Sequence, residues 1–151
     1  MSDLIAHRRQ TERQLVAAAR TRLPLITGHT RAVGYRSVHD GAEHLALVYG
    51  DLGDGTDVAV HVHTECLLGD VFRSTACTCR HDLDAATTAI SARGRGVVLY
   101  LRHPSGAGAA GHHTAPDSSL TTEILRDLGV RSTRPAAEPT PVPATAPLAS
   151  A

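Results

Sequence analysis

The chain has no lysine and no tryptophan, a single phenylalanine and a single methionine, and only three cysteines among its 151 residues. Each shortage excludes something. All fifteen basic residues are arginines, and fifteen Asp plus Glu bring the formal net charge to zero. Neither a nucleic-acid footprint nor a polybasic patch for a membrane surface is implied. No run approaches the roughly twenty apolar residues that a membrane-spanning helix needs. The start, MSDLIAHRRQ, lacks the apolar segment of a secretory signal, and three thiols cannot all pair with one another. A reducing, cytoplasmic setting is the expectation. With 42% hydrophobic residues, the chain carries enough apolar material for one ordinary core in one domain.

What is present reads as a mixed α/β (α+β) fold. Over residues 1–22, Leu4, Ile5, Leu15, Val16 and a run of alanines among Arg, Gln and Glu predict an N-terminal helix, limited by Pro24. From Thr30 the segments RAVGYRSV, LALVYGDL and the alternating DVAVHVH read as antiparallel strands joined by hairpins at HDGAE and GDGTD. Leu83, Ala86 and Ile90 fall three and four apart and predict a helix over 81–93. Gly94 stands at its C-terminal cap, and a buried strand, GVVLYL, follows over 96–101. PSGAGAAGHH is too rich in glycine for regular structure, and Thr121 to Leu128 reads as a short helix closed by Gly129. Residues 135–151, with five prolines, read as a disordered Pro/Ala-rich tail. The expected architecture is a largely antiparallel sheet flanked by helices, in one domain over 23–134.

All three cysteines lie close together. Cys66, ten residues, Cys77, one residue, Cys79: this is spacing for thiolate ligation, one short of a closed structural zinc site. An open fourth position is the mark of a catalytic metal. A redox or disulfide pair and unliganded buried thiols are the alternatives. Three thiolates donate more charge than three imidazoles, so water on such a zinc is less acidic and a separate proton acceptor is wanted nearby. Alternation along DVAVHVHTEC sets His61, His63 and Glu65 on one face of their strand. Asp70, His81, Asp82 and Asp84 complete the polar surroundings. A lone strand histidine is often structural, Asp82 suits the first turn of a helix, and Asp70 after Gly69 suits a turn.

The stretch HTECLLGDVFRSTACTCRHDLDAA resembles the zinc signature of the GTP cyclohydrolase II family, His-Ser-Glu-Cys-Leu-Thr-Gly-Asp followed by Cys-x-Cys and a helix. The resemblance continues through RLPLITGHTRAVGYR, EHLALVYGDL, GRGVVLYLR and ILRDLGVR, over roughly residues 17–131. It implies a homodimeric α/β protein with one Zn2+ per chain on Cys66, Cys77 and Cys79. It also implies hydrolytic opening of the imidazole ring of GTP with loss of formate and pyrophosphate, Mg2+ serving the phosphates.

The sequence departs from the family pattern where the nucleotide is handled. His61 stands in place of an Arg, Asp82 in place of a Gln turned toward the base, and Arg102-His103-Pro104-Ser105-Gly106 in place of Arg-Gln-Glu-Gly-Arg. A helical segment with the family's catalytic Tyr is missing, as is the Thr-Asn-Asn-Pro-Lys segment. The family's Asp-x-Arg falls on Thr114 and Pro116, or in a shifted alignment on Asp117 and Ser119. Each lost charge-assisted phosphate contact is worth roughly 1.5 to 3 kcal/mol. The leading expectation is therefore a zinc-dependent hydrolase or cyclase acting on a C–N bond of a small heterocyclic substrate other than GTP. The expected catalytic groups are His63, Glu65 and Asp117, and the expected substrate contacts are His61, Asp82, Arg102 and His103. His112 and His113 are further acid–base candidates. GTP ring opening itself and a non-catalytic, zinc-stabilised dimeric scaffold are the alternatives.

Overall fold

A computed structural model describes residues 14–102 and 116–138. Six strands, β1 (Leu15–Leu25), β2 (Gly28–Ser37), β3 (Glu43–Tyr49), β4 (Val58–Thr64), β5 (Gly96–Leu101) and β6 (Thr133–Pro135), form one mixed sheet in the order β1-β2-β3-β5-β4-β6. The first three joins are antiparallel, while β4 runs parallel to both β5 and β6. Among the described residues three helices accompany them: α1 (Leu67–Asp70), a single turn, α2 (Cys79–Arg93) and α3 (Ser118–Asp127). The expected mixed, largely antiparallel sheet flanked by helices is the fold observed.

Period-two alternation sorts the apolar residues onto the two faces of this sheet. Val33, Val48, Val97, Leu99 and Leu101 meet Ile124 of α3 on one face. Tyr49, Ala59 and Val98 meet Ala86 and Ile90 of α2 on the other. Fully burying a side chain such as Ile90 contributes roughly 1.5–3 kcal/mol. Parallel pairing of β4 with β5 requires a crossover, and α1 and α2 supply it. Ligand sites in such units gather beyond the carboxyl ends of the parallel strands, and all three cysteines lie there.

Helix α2 begins two residues before the expected His81, so Cys79 is its first residue. Gly94 ends it in the left-handed conformation, its N–H reaching the carbonyls of Ile90 and Ser91, both at 3.0 Å. Asp117 caps α3, accepting from the amides of Ser119 and Leu120 at 2.9 and 3.2 Å.

Three expectations need correction. Residues 15–22 are strand, not helix: β1 pairs with β2 along its length through a two-residue turn at Ile26 and Thr27. Helix propensity is a weak preference that sheet pairing overrides, and Pro24 is tolerated because β1 is an edge strand. Residues 1–13 lie outside the described residues. Second, β4 is not the hairpin partner of β3, because β5 inserts between them. Third, the expected tail starts as structure, since Thr133–Pro135 pairs with β4 and Ala136 is buried. The rest of that tail, 139–151, and the Gly-rich loop at 104–113 lie outside the described residues.

Candidate metal centre

At the end of β4 the alternation that faces Ala59 toward α2 turns His61 and His63 the same way. His63 pairs with Tyr100 of β5, and their rings stack with centroids 5.4 Å apart at 18°. The His61 ring follows at 5.7 Å. Cys66 then opens α1 as its N-cap, its sulfur accepting from the Gly69 amide at 3.3 Å. This tight turn carries Asp70 back under β4. The Asp70 carboxylate lies 2.9 Å from His63 Nε2, and accepts from the Cys66 amide at 3.0 Å and from the Tyr100 hydroxyl at 2.6 Å. Its backbone carbonyl accepts from Arg80 at 3.2 Å. Asp70 and His63 are both buried, so these bonds operate in a low-dielectric setting where unmade ones are costly.

Cys77 and Cys79 approach from the other side, at the start of α2. The three sulfurs lie within 4.8 Å of one another, with Cys66 and Cys77 at 3.8 Å. That is well outside bonding distance for a disulfide, and all three thiols are free. Burial pushes the Cys66 thiol up, and it pushes the Cys79 thiol further, with hydrogen bonding to Cys77 and Cys66 adding to it. Cys66 and Cys79 therefore resist ionising by themselves, and a divalent cation is what makes thiolates favourable in such a place. Gly69 completes the cradle. A β-carbon there would stand 2.7 Å from Cys77 Sγ, 3.0 Å from Cys79 Cβ and 3.2 Å from Cys66 Sγ. The donor set and the space fit one soft-tolerant divalent ion such as zinc. Among the described residues no fourth His, Cys, Asp or Glu atom joins the cluster.

Asp82 stands in the first turn of α2, which Cys79 opens, and His61 is close enough to Asp82 and His63 to feel their charges. His61 Nε2 and Asp82 Oδ1 are buried without a hydrogen-bond partner, while Asp82 Oδ2 accepts from the Thr78 hydroxyl at 2.8 Å. Burial, with His63 nearby, holds the His61 imidazole below its ordinary range against the opposing pull of Asp82. Buried polar atoms are normally satisfied, so two bare ones next to a thiolate cluster suit a polar ligand. Glu65 accepts from Arg102 Nε at 3.3 Å at the rim. Asp117 is elsewhere. Its charge acts on His44, which alternates to the face opposite Tyr100, and its side chain is committed to capping α3. His103, His112 and His113 lie outside the described residues. Sequence reasoning passed over Asp70 as a turn residue and did not single out Tyr100. A lone tyrosine interrupting the aliphatic GVVLYL was the available signal.

Comparison with known proteins bears on this arrangement. Residues 16–116 match the family described as GTP cyclohydrolase II. The riboflavin biosynthesis protein RibBA of Nocardia farcinica is 43% identical over 159 residues, covering 89% of this chain and 38% of that protein. Its counterpart in Salinispora arenicola is 44% identical with the same coverage. The chain spans about two-fifths of the length of these curated relatives. Among solved structures, RibBX, a two-domain 3,4-dihydroxy-2-butanone 4-phosphate synthase from A. baumannii, superposes with a TM-score of 0.61 at 24% identity. It covers 92% of this chain and 39% of that one, and the likeness is one of fold.

Proposed function

The chain belongs to the GTP cyclohydrolase II family, and from that membership and the geometry of the thiolate cluster we propose that it is a zinc-dependent hydrolase opening the imidazole ring of GTP. The observation that carries this reading is the convergence of three free cysteine sulfurs within 4.8 Å with no fourth protein donor among the described residues. When bound there, zinc supplies a Lewis acid for hydrolysis of the ring C–N bond. His63, steadied by Asp70 and stacked on Tyr100, moves the proton that three thiolate donors leave the centre poorly able to release. Glu65 and Arg102 form the rim of the site, and His61 Nε2 and Asp82 Oδ1 offer polar contacts to the base. Magnesium accompanies the phosphates. That the relatives are riboflavin biosynthesis proteins supports this reading.

A second reading keeps the centre and changes the substrate to a heterocycle other than GTP. It is favoured by His61 and Asp82, whose bare atoms replace the family's Arg and Gln. One experiment separates the two. Zinc-loaded protein is incubated with GTP and Mg2+, and formate and pyrophosphate are measured against a Cys77→Ser control. Release of both supports GTP ring opening; no release from GTP, with turnover in a panel of purines and pyrimidines, supports the second reading. A homodimer in the cytoplasm is the proposed working form. Exposed Leu67, Leu68, Val71 and Phe72 around α1 support self-association, and light scattering at a dimer mass is the check. No described helix is long and apolar enough to cross a membrane.

A further inference from the structure

We propose that Asp70 is the positioning residue of this centre, holding His63 in the tautomer with its hydrogen on Nε2 and its lone pair on Nδ1, while tying that ring to the Cys66 turn. Three groups converge on the Asp70 carboxylate. It accepts from the Cys66 amide and the Tyr100 hydroxyl on Oδ2, and faces His63 Nε2 on Oδ1. A backbone amide can only donate, so the carboxylate is the acceptor in this network, and the imidazole nitrogen facing it carries the hydrogen. The neutral ring then has Nδ1 as its accepting nitrogen. Stacking on Tyr100 at 5.4 Å restrains the ring plane, and Tyr100 is itself fixed by its 2.6 Å bond to the same carboxylate.

The arrangement explains why one helical turn sits between β4 and the Cys77 loop. With Asp70 at its last position, the turn is closed twice: the Asp70 amide donates to the Cys66 carbonyl at 2.7 Å, and the Cys66 amide donates to the Asp70 carboxylate at 3.0 Å. A sulfur donor and a proton acceptor are thereby placed by one side chain. A carboxylate that orients a histidine beside a metal centre is a recurrent device, and removing such a partner costs roughly 10- to 100-fold in activity or metal affinity.

The role assigned to Asp70 as a kinetic device rests on the hydrolase reading above, whereas the tautomer does not. The test therefore has two arms. In the first, the zinc-loaded protein labelled with 15N at histidine is examined by NMR, with His63→Ala used to assign the ring. A dominant Nε2–H tautomer of His63 in the wild type, lost to a mixture in Asp70→Asn, is expected; a dominant Nδ1–H tautomer in the wild type overturns the proposal. That spectrum decides even if Asp70→Asn does not fold or the wild type shows no turnover of GTP. In the second, Asp70→Asn retains one zinc per chain and loses roughly 10- to 100-fold in kcat with KM within about threefold. His63→Ala shows a similar loss, and the double variant is no worse than either alone. Additive losses, or loss of zinc from Asp70→Asn, would mean that Asp70 serves the turn alone.

Discussion

Replacing Gly69 by Ala isolates the packing of the thiolate cluster from every other effect. Gly69 is helical and does not use the left-handed backbone region. Its conversion to Ala would by propensity alone favour the turn by up to about 1 kcal/mol. The contacts act the other way. The added methyl would lie 2.7 Å from Cys77 Sγ, 3.0 Å from Cys79 Cβ and 3.2 Å from Cys66 Sγ, against roughly 3.5–4.0 Å for comfortable contact between carbons. Cys77 Sγ must retreat by about 1 Å, whereas a zinc–sulfur bond of about 2.3 Å tolerates only about 0.2 Å. Overpacking of this kind costs about 1–3 kcal/mol. Gly69→Ala is therefore expected to weaken zinc binding by about tenfold or more, the equivalent of about 1.4 kcal/mol. Competition with a chromophoric chelator measures the affinity, and thermal melting with and without zinc shows whether the fold is otherwise intact. A variant that binds zinc as tightly as the wild type and melts at the same or a higher temperature would refute the reasoning.

Further expectations follow from the two packed faces. Ile90 is fully buried between α2 and the sheet, and Ile90→Ala should cost about 2–5 kcal/mol in urea unfolding; a loss below 1 kcal/mol would show that α2 is not held by that contact. Asp117→Ala, removing the cap of α3, should cost about 1 kcal/mol without changing zinc affinity, and loss of metal would place Asp117 in the centre after all. The His44 imidazole is held below its usual range by burial and by Arg102, against Asp40 and Asp117. Its folded pKa lies below the unfolded value of about 6.5, so its contribution is complete above pH 6.5 and declines as pH falls below it. In His44→Gln the urea midpoint should change less between pH 7.5 and 5.5 than in the wild type, and parallel profiles would exclude His44 as the group.

Local patterns made a good part of this molecule legible. Leu83, Ala86, Ile90 and Gly94 announced α2 and its end, GVVLYL announced β5, and the cysteine spacing announced the cluster. Each of these signals sits within one element, where periodicity and capping chemistry act. What escaped depends on partners distant in the chain. The Ala- and Arg-rich segment of β1 has helical composition but pairs with β2, and only Leu15 of it is buried. The insertion of β5 between β3 and β4 joins residues some fifty positions apart, as in the Leu45–Tyr100 pair. Asp70 reads as a turn residue until Tyr100 and His63 close on it from two strands. Asp117, offered by an alignment alone, caps the start of α3.

The central claim is that Cys66, Cys77 and Cys79 hold one zinc with a position left for a non-protein group, and X-ray absorption at the zinc edge on the loaded protein tests it most directly. The account predicts three sulfur neighbours at about 2.3 Å and one nitrogen or oxygen neighbour at about 2.0–2.2 Å, with the lighter neighbour showing no imidazole scattering pattern. A fourth ligand with the imidazole pattern, or fewer than three sulfurs, would contradict it.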